Sequence, residues 1–201
     1  KPFLAYRKVH QLTHQNTEAN CDFQEVSNGI AMKLYENYPT LYMQLSKKNV
    51  YQHYPDWYKN IEYYKEKERG FEYREDLLVP GSFEIPIKKG ESVIFSAGIS
   101  EISTSSLKNL WEKELKKRNP RSDMFSALKN SAQQFYKREG DKTYLLAGYP
   151  WFTARARDEF VALPGCTLSI GRMEYFDAII ETAIPEIENF INENKVSSKL
   201  K

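Results

Sequence analysis

Apolar and polar residues alternate along two short segments near the start of the chain. The apolar positions are Ile30, Met32 and Leu34 in the first segment and Leu41, Met43 and Leu45 in the second. A period of two is the pattern of a half-buried β-strand. Turn-forming residues separate the segments at 37–40, and a second turn at 47–49 leads into another strand-like run at 50–54. The pattern therefore predicts a meander of antiparallel strands.

A hairpin is predicted further along, where the runs 83–87 and 92–96 flank a short turn at 88–91. Gly90 supplies the positive φ that such a turn requires. Pro86 has no backbone N–H to donate, so its strand is expected at a sheet edge or at a bulge.

The second half of the chain has the three-to-four-residue spacing of amphipathic helices. The apolar positions of the first predicted helix are Leu107, Leu110, Trp111 and Leu115. Ser105 and Ser106 can cap its start, and the pair 119–120 ends it. The apolar positions of the second predicted helix are Met124, Phe125, Leu128, Ala132 and Phe135. Ser122 is its expected cap, and Gly140 its expected end.

Two more helices are expected before the end of the chain. A short one is predicted at 157–163, where Pro164 and Gly165 follow. A long one is predicted at 172–194, with Pro185 either kinking or splitting it.

These elements predict an α+β chain, in which an antiparallel β-sandwich portion precedes helices of an α/α assembly. The sandwich portion is assigned to residues 1–101, and an apolar, strand-like run at 3–12 is included in it. A linker helix is assigned to 102–121 and the start of a helical domain to 122–201.

Composition and charge exclude several classes of function. The chain has 201 residues, of which 29 are basic and 27 acidic, and the two signs are interleaved. No basic field therefore predicts nucleic-acid binding, and the charged run 65–69 is interpreted as a solvated segment. A membrane span needs about 18 consecutive apolar residues, and the sequence has no such run. Cys21 and Cys166 form no disulfide framework, so we expect a reducing, cytoplasmic compartment.

The segment 147–168 carries the most information about function, because it groups aromatic residues, arginines and acids between Gly/Pro breaks. Glycoside hydrolysis needs one carboxyl group to protonate the leaving oxygen and a second to activate water or attack. Asp158 is the candidate acid; the alternative is that it stabilises the start of the predicted helix. Glu159 is excluded as the second group, because adjacent helical residues point about 100° apart. A helix N-terminus and nearby arginines favour a carboxylate, so an acid here needs desolvation and a second carboxylate close by.

The other candidate site residues surround this acid in sequence. Tyr149, Trp151 and Phe152 offer rings for stacking on sugars, and the alternative is that they fill the core beneath a proline turn. Arg155 and Arg157 offer forked hydrogen bonds to sugar hydroxyls, and the alternative is an ion pair with one of the two acids.

No metal or cofactor site is predicted. The histidines His10, His14 and His53 belong to no compact ligand set and are interpreted as structural. No glycine-rich phosphate loop and no nucleophilic triad motif is found.

The segment 147–168 resembles the glucosidase part of glycogen debranching enzymes of the bacterial and archaeal, amylo-α-1,6-glucosidase type. The residues that carry the resemblance are 148–152, Arg157 with Asp158, and 162–165, together with Arg7 and His10 within 3–10 and the block 75–84. The last two blocks resemble the family's N-terminal β-sandwich, so the likeness covers most of the chain. The family usually has Trp-Gly where this chain has Arg155 and Ala156, and an arginine there offers hydrogen bonds in place of ring stacking.

The resemblance implies a sandwich packed against an (α/α)6 barrel and hydrolysis of α-1,6-linked glucose in glycogen-like glucans. It further implies an inverting pair of carboxylates, with Asp158 as the acid. Since the barrel needs more helices than this chain supplies, we expect a fragment that is inactive alone, with the general base beyond Lys201. Exposed helix faces of such a fragment favour a dimer.

Two alternatives stay open at the level of sequence. One is a trehalase-like or other α/α-barrel glycosidase, and the other is a non-catalytic carbohydrate-binding module built on the sandwich.

Overall fold

The computed structural model describes residues 1–9, 11–118, 120–149 and 151–193. The chain divides into two compact units, Lys1–Lys116 (unit 1) and Lys117–Lys201 (unit 2). The domain limits predicted at 101 and 121 stay predictions.

Unit 1 is built mainly of antiparallel strands. Its elements in chain order are β1 (Phe23–Val26), β2 (Gly29–Met32), β3 (Leu41–Leu45), β4 (Val50–Glu62), α1 (Tyr64–Glu68), β5 (Arg74–Glu84), β6 (Phe95–Gly98) and α2 (Leu107–Lys117, whose last residue falls in unit 2). One sheet has the order β1-β2-β3-β6, and a second pairs β4 with β5. The strands predicted from the alternation at 30–34 and 41–45 are confirmed as β2 and β3.

The predicted meander is wrong at its last step. β4 leaves the first sheet and pairs with β5, with Val50 opposite Glu84. The turn before it is fixed by Asn49, whose side-chain amide donates to the carbonyl oxygens of Asn28 and Lys47 at 3.0 and 3.2 Å. Alternation specifies which face of a strand is buried, whereas it leaves the partner strand undetermined.

The predicted hairpin over 83–96 is also wrong, although its turn exists. The Glu91 N–H donates to the Lys88 carbonyl oxygen at 3.0 Å, but no strand flanks this turn on either side. β5 ends at Glu84 in the second sheet, and β6 begins at Phe95 opposite Leu45 of β3. The segment 85–94 therefore connects two sheets, and Pro86 lies outside any strand.

A shared core holds the two sheets together. Its buried members are Leu4, Ile30, Met32, Leu34, Met43 and Leu78, which come from both sheets and from the segments beside them. Burial of such aliphatic side chains contributes about 1.5–3 kcal/mol each. This packing is sandwich-like, as the first half of the sequence predicted.

The N-terminal run at 3–12 was expected to be extended, but it forms only an isolated bridge between Leu4 and Leu78. A buried carboxylate, Glu75, fixes this segment instead. Arg7 donates to both oxygens of Glu75, and the Thr13 N–H and the Tyr63 hydroxyl donate to it as well. Burial opposes ionisation of Glu75, but these hydrogen bonds outweigh it and lower its pKa. His10 lies outside the described residues.

Unit 2 contains a sheet that the sequence pattern did not predict. Its elements are α3 (Met124–Gln133), β7 (Tyr136–Glu139), β8 (Lys142–Gly148), β9 (Phe152–Ala154), α4 (Ala156–Cys166) and α5 (Met173–Glu193). The three strands form an antiparallel sheet in the order β7-β8-β9. The expectation of a wholly helical second half is therefore wrong.

Two details of α3 correct the predicted helix. Its cap is Asp123, whose carboxylate accepts the Ser126 N–H at 2.9 Å, and Ser122 lies one residue too early. Gly140 does not end the helix, because α3 stops at Gln133. Gly140 has a φ of +59° in the tight turn between β7 and β8, where glycine adopts this conformation most easily.

The last two helices both continue through a proline, whereas the sequence predicted that the first would end before Pro164 and that Pro185 would kink or split the second. α4 continues through Pro164 and Gly165, and the Thr167 N–H and hydroxyl both donate to the Leu163 carbonyl oxygen at its end. α5 includes Pro185 and is continuous, so it is not split. Its predicted last residue, Asn194, lies outside the described residues.

The core of unit 2 joins α4 and α5 to the sheet. Leu145 of β8, Leu163 of α4 and Ile179 of α5 are its buried centre. The predicted α+β class is thus confirmed. Within the described residues, every helix is too short or too polar to cross a membrane.

Candidate active site

The candidate segment folds as a hairpin followed by a helix. β8 and β9 pair with Leu146 opposite Ala154 and Gly148 opposite Phe152. The Phe152 ring lies so close to Gly148 that a Cβ added there would be 2.8 Å from the ring. Tyr149 and Trp151 belong to the tip of this hairpin, and α4 begins two residues after β9 ends.

The two adjacent acids of α4 face different surroundings. Asp158 is exposed, whereas Glu159 is only 2% exposed. Leu163, four residues after Glu159, is buried in the core beside β8, while Ala162, four residues after Asp158, lines a cavity. Residues four apart share one face of a helix, so α4 turns one acid inward and the other toward the cavity.

Glu159 is bound to the sheet. Its Oε1 accepts the N–H of Leu145 in β8 at 2.8 Å. Burial raises the pKa of Glu159, and the hydrogen bond from Leu145 opposes part of that rise. Glu159 therefore joins α4 to β8 and is not available to a substrate.

Asp158 lines a cavity of about 490 Å³ in unit 2. The cavity is lined by Phe135, Leu145, Leu146, Ala147, Arg157, Asp158, Val161, Ala162 and Cys166. Asp158 and Arg157 are the charged members of this lining, so an acid and a guanidinium share a largely apolar cavity. Apolar walls with a few polar groups are typical of small-molecule sites.

Neither charged side chain is engaged by the described part of the chain. Asp158 lies in the first turn of α4, where a carboxylate is favoured by the helix dipole, but it accepts no hydrogen bond from a described residue. Arg157 likewise forms no ion pair with Asp158 or Glu159 among these residues. Asp158 thus occupies the first-turn position of a helix-stabilising acid but forms no capping hydrogen bond with a described residue, and Arg157 is not paired with either acid.

The predicted aromatic residues lie outside the cavity lining. Tyr149, Trp151 and Phe152 are 57%, 56% and 45% exposed, so they do not fill the core. The Arg155 guanidinium lies 4.4 Å from the centre of the Phe152 ring, a cation–π contact, and not against either acid. The structure thus brings Arg157 and Asp158 into one cavity and places the other four predicted residues on the adjoining hairpin and helix start.

Sequence reasoning missed the apolar wall of the cavity. Phe135 follows α3 and leads into β7, and Cys166 is the last residue of α4. Burial raises the pKa of the Cys166 thiol. The spacing of Asp158, Ala162 and Cys166 was a usable signal, because residues at i, i+4 and i+8 form one helical stripe.

No cluster of three or more metal-ligating side chains is found in the part of the chain that the structure describes. His14 lies 3.3 Å from a Glu72 oxygen, and His53 lies 3.4 Å from the Tyr51 hydroxyl. Each of these two histidines therefore has a local hydrogen-bonding neighbour.

Comparison with known families gives one match in each half of the chain. Residues 1–94 match a family model described as the N-terminal part of glycogen debranching enzyme. Residues 128–192 match a model described as amylo-alpha-1,6-glucosidase, and this range includes the hairpin, the cavity and Asp158. Comparisons with curated proteins and with solved structures found no match. The two matched ranges together cover most of the sequence, and the chain belongs to the glycogen debranching enzyme family.

Proposed function

We propose that Asp158 is the general acid in the hydrolysis of α-1,6-linked glucose at branch points of a glycogen-like glucan. The observation that carries this proposal is an exposed carboxylate without a protein partner among the described residues. It lies beside Arg157 in a cavity of the segment that matches the glucosidase model.

The reaction uses two carboxyl groups on opposite sides of the sugar, one to protonate the leaving oxygen and one to activate water. An inverting pair is separated by about 6.5–9.5 Å, which leaves room for the water molecule. The described lining of the cavity supplies only Asp158 as a carboxyl group, since Glu159 faces the sheet. The general base must therefore come from residues other than these.

A general acid must carry a proton when the substrate is bound. A second carboxylate close to the acid and the exclusion of water by a bound sugar both favour the protonated form of a carboxyl group. The proposal therefore requires both the second group and the substrate beside Asp158.

The hairpin tip supplies the proposed sugar contacts. Tyr149 and Trp151 are more than half exposed, and a pyranose presents an apolar C–H face that packs on such rings. Arg157 offers paired N–H donors to hydroxyl groups of the same sugar. Arg155, held over Phe152, stands where the family usually has a tryptophan and forms one side of this surface.

The first test is glucose release from a branched limit dextrin by the 201-residue chain. We expect no turnover above the rate of a heat-denatured sample, because the cavity contains one carboxyl group. Turnover that Asp158→Asn abolishes would contradict the argument for a missing base.

The second test uses an active debranching enzyme whose corresponding segment is replaced by residues 147–168 of this chain. Removing a general acid costs about 10²–10⁴-fold in rate. We expect a loss of that size in kcat for Asp158→Asn, and little change for Val161→Thr, a similarly sized change at a cavity-lining position that carries no charge.

A further inference from the structure

A second cleft lies entirely within unit 1. Its volume is about 980 Å³. One wall is one face of α2 together with the 3₁₀ turn that precedes it, formed by Thr104, Ser105, Lys108, Trp111, Glu112 and Leu115. The other wall consists of Ser46, Lys47 and the segment 92–95, which leads into β6. All residues of the helical wall lie between the two ranges that match the family models.

The helical wall presents an aromatic platform flanked by charges. Lys108, Trp111, Glu112 and Leu115 are spaced i, i+3, i+4 and i+7, so they occupy one face of α2. The Trp111 side chain is 52% exposed. Neither Lys108 nor Glu112 has a hydrogen bond or an ion pair with another described residue. The indole ring of Trp111 therefore shares one helix face with the ammonium group of Lys108 and the carboxylate of Glu112, neither of which is paired within the described residues.

The opposite wall is fixed in place. Lys47 is paired with Glu91 at 2.5 Å, and the Ser46 hydroxyl accepts the Ile94 N–H at 2.9 Å. Phe95 contacts Phe83 edge-on, with ring centres 6.1 Å apart. A wall held by such contacts loses little conformational entropy when a ligand binds.

These features favour a neutral, amphipathic ligand. Phosphate is disfavoured because Glu112 faces the same cleft as Lys108. A protein partner is disfavoured because the centre of a protein interface is depleted of charged residues. A chain of glucose units has apolar C–H faces for Trp111 and hydroxyl groups for the lysine, the carboxylate and the serine and threonine hydroxyls.

We propose that this cleft binds a linear segment of α-glucan and acts as a non-catalytic anchoring site, with Trp111 as its stacking platform. The proposal rests on the proposed function, which makes a glycogen-like glucan the substrate. Because glycogen offers many chains on one particle, a second contact point raises the overall affinity without new contacts at the catalytic site.

The test is electrophoresis of the 201-residue chain in native gels with and without glycogen, and titration with maltoheptaose, which contains no branch. We expect glycogen to retard the wild type and Trp111→Ala to bind about tenfold more weakly, from about 1.4 kcal/mol of lost stacking. Trp111→Phe should retain an intermediate affinity, which separates lost stacking from a folding defect. Leu110→Ala is the matched control, because Leu110 is an exposed apolar neighbour on α2 that does not line the cleft.

The outcomes separate this proposal from the proposed function. If Trp111→Ala binds glucan like the wild type while Trp151→Ala loses binding, the cleft proposal is overturned and the proposed function stands. If the wild type binds no glucan and light scattering shows a dimer that Trp111→Ala dissociates, the cleft is a contact between copies and the proposal is also overturned. The role of Asp158 is judged separately, by turnover of the segment replacement.

Discussion

The buried acid Glu159 offers the sharpest test of how α4 is positioned. Replacing it by alanine removes the acceptor of the Leu145 N–H, which is otherwise hydrogen-bonded at 2.8 Å in the core. A buried amide without a partner costs about 1–3 kcal/mol, and the one lost methylene group costs about 0.8 kcal/mol. We therefore expect the free energy of unfolding of unit 2 to fall by about 2–4 kcal/mol.

Glu159→Gln is the matched variant, because it retains both the size of the side chain and a carbonyl oxygen for the Leu145 N–H. It also removes the dependence on pH. Burial raises the pKa of Glu159, so the folded chain holds a proton that the unfolded chain releases. The stabilisation linked to that proton is complete below the ordinary pKa of glutamate and is lost as the pH rises through the raised value. Glu159→Gln should thus equal the wild type at low pH and exceed it in stability near neutral pH.

Amide hydrogen exchange at Leu145 measures this contact directly, together with urea unfolding followed by far-ultraviolet circular dichroism at several pH values. We expect rapid exchange at Leu145 in Glu159→Ala and slow exchange in Glu159→Gln. Slow exchange in the alanine variant, or a stability difference between glutamate and glutamine that is independent of pH, would refute the argument.

Two further predictions concern unit 1. Gly29→Ala places a Cβ 2.0 Å from the Met43 carbonyl oxygen, whereas a Cβ at Gly98 in the same sheet meets nothing within 4 Å. We expect Gly29→Ala to lower the free energy of unfolding by about 1–3 kcal/mol and Gly98→Ala to change it little, and equal effects in urea unfolding would contradict the close approach of β2 and β3. Glu75→Gln leaves the partly exposed guanidinium of Arg7 beside a neutral partner and should destabilise unit 1 by about 1–3 kcal/mol at neutral pH. Because the pKa of Glu75 is lowered, its stabilisation is present above the ordinary glutamate pKa and is lost as the pH falls through the lowered value, so the difference from wild type should shrink in acid. A difference that stays constant down to low pH would count against this ion pair.

The sequence predicted strand and helix patterns better than it predicted which elements pair. Alternation located β2 and β3, and helical spacing located α2 and α5, because burial on one face imposes those periods directly. The partners of β4 and β6 were missed, since β4 starts a second sheet with β5 while β6 returns to β3 in the first, and the local pattern contains no record of either choice.

The sheet of unit 2 was missed for a different reason. The strands β7 and β9 are only four and three residues long, too short to show a period, and Gly140 suits a helix end as well as a hairpin turn. The prediction that a helix ends before Pro164 was wrong for another reason. A proline near the last turn of a helix removes a single hydrogen bond, and here Thr167 closes that end of α4.

At the candidate site, helical geometry alone predicted that the adjacent acids Asp158 and Glu159 point in different directions. The cavity was not, because Phe135 and Leu145 reach it from the end of α3 and from β8. The exposure of Tyr149 and Trp151 was also undetermined, since a tryptophan beside a proline is equally compatible with a core position and a surface.

The most direct test of the account is turnover of a branched limit dextrin by an active debranching enzyme that carries residues 147–168 of this chain. With Asp158 as the acid, Asp158→Asn lowers kcat by about 10²–10⁴-fold, and the loss is smaller for substrates whose leaving group needs no proton, such as a glucosyl fluoride. Normal turnover of the dextrin by the Asp158→Asn enzyme would contradict the central claim.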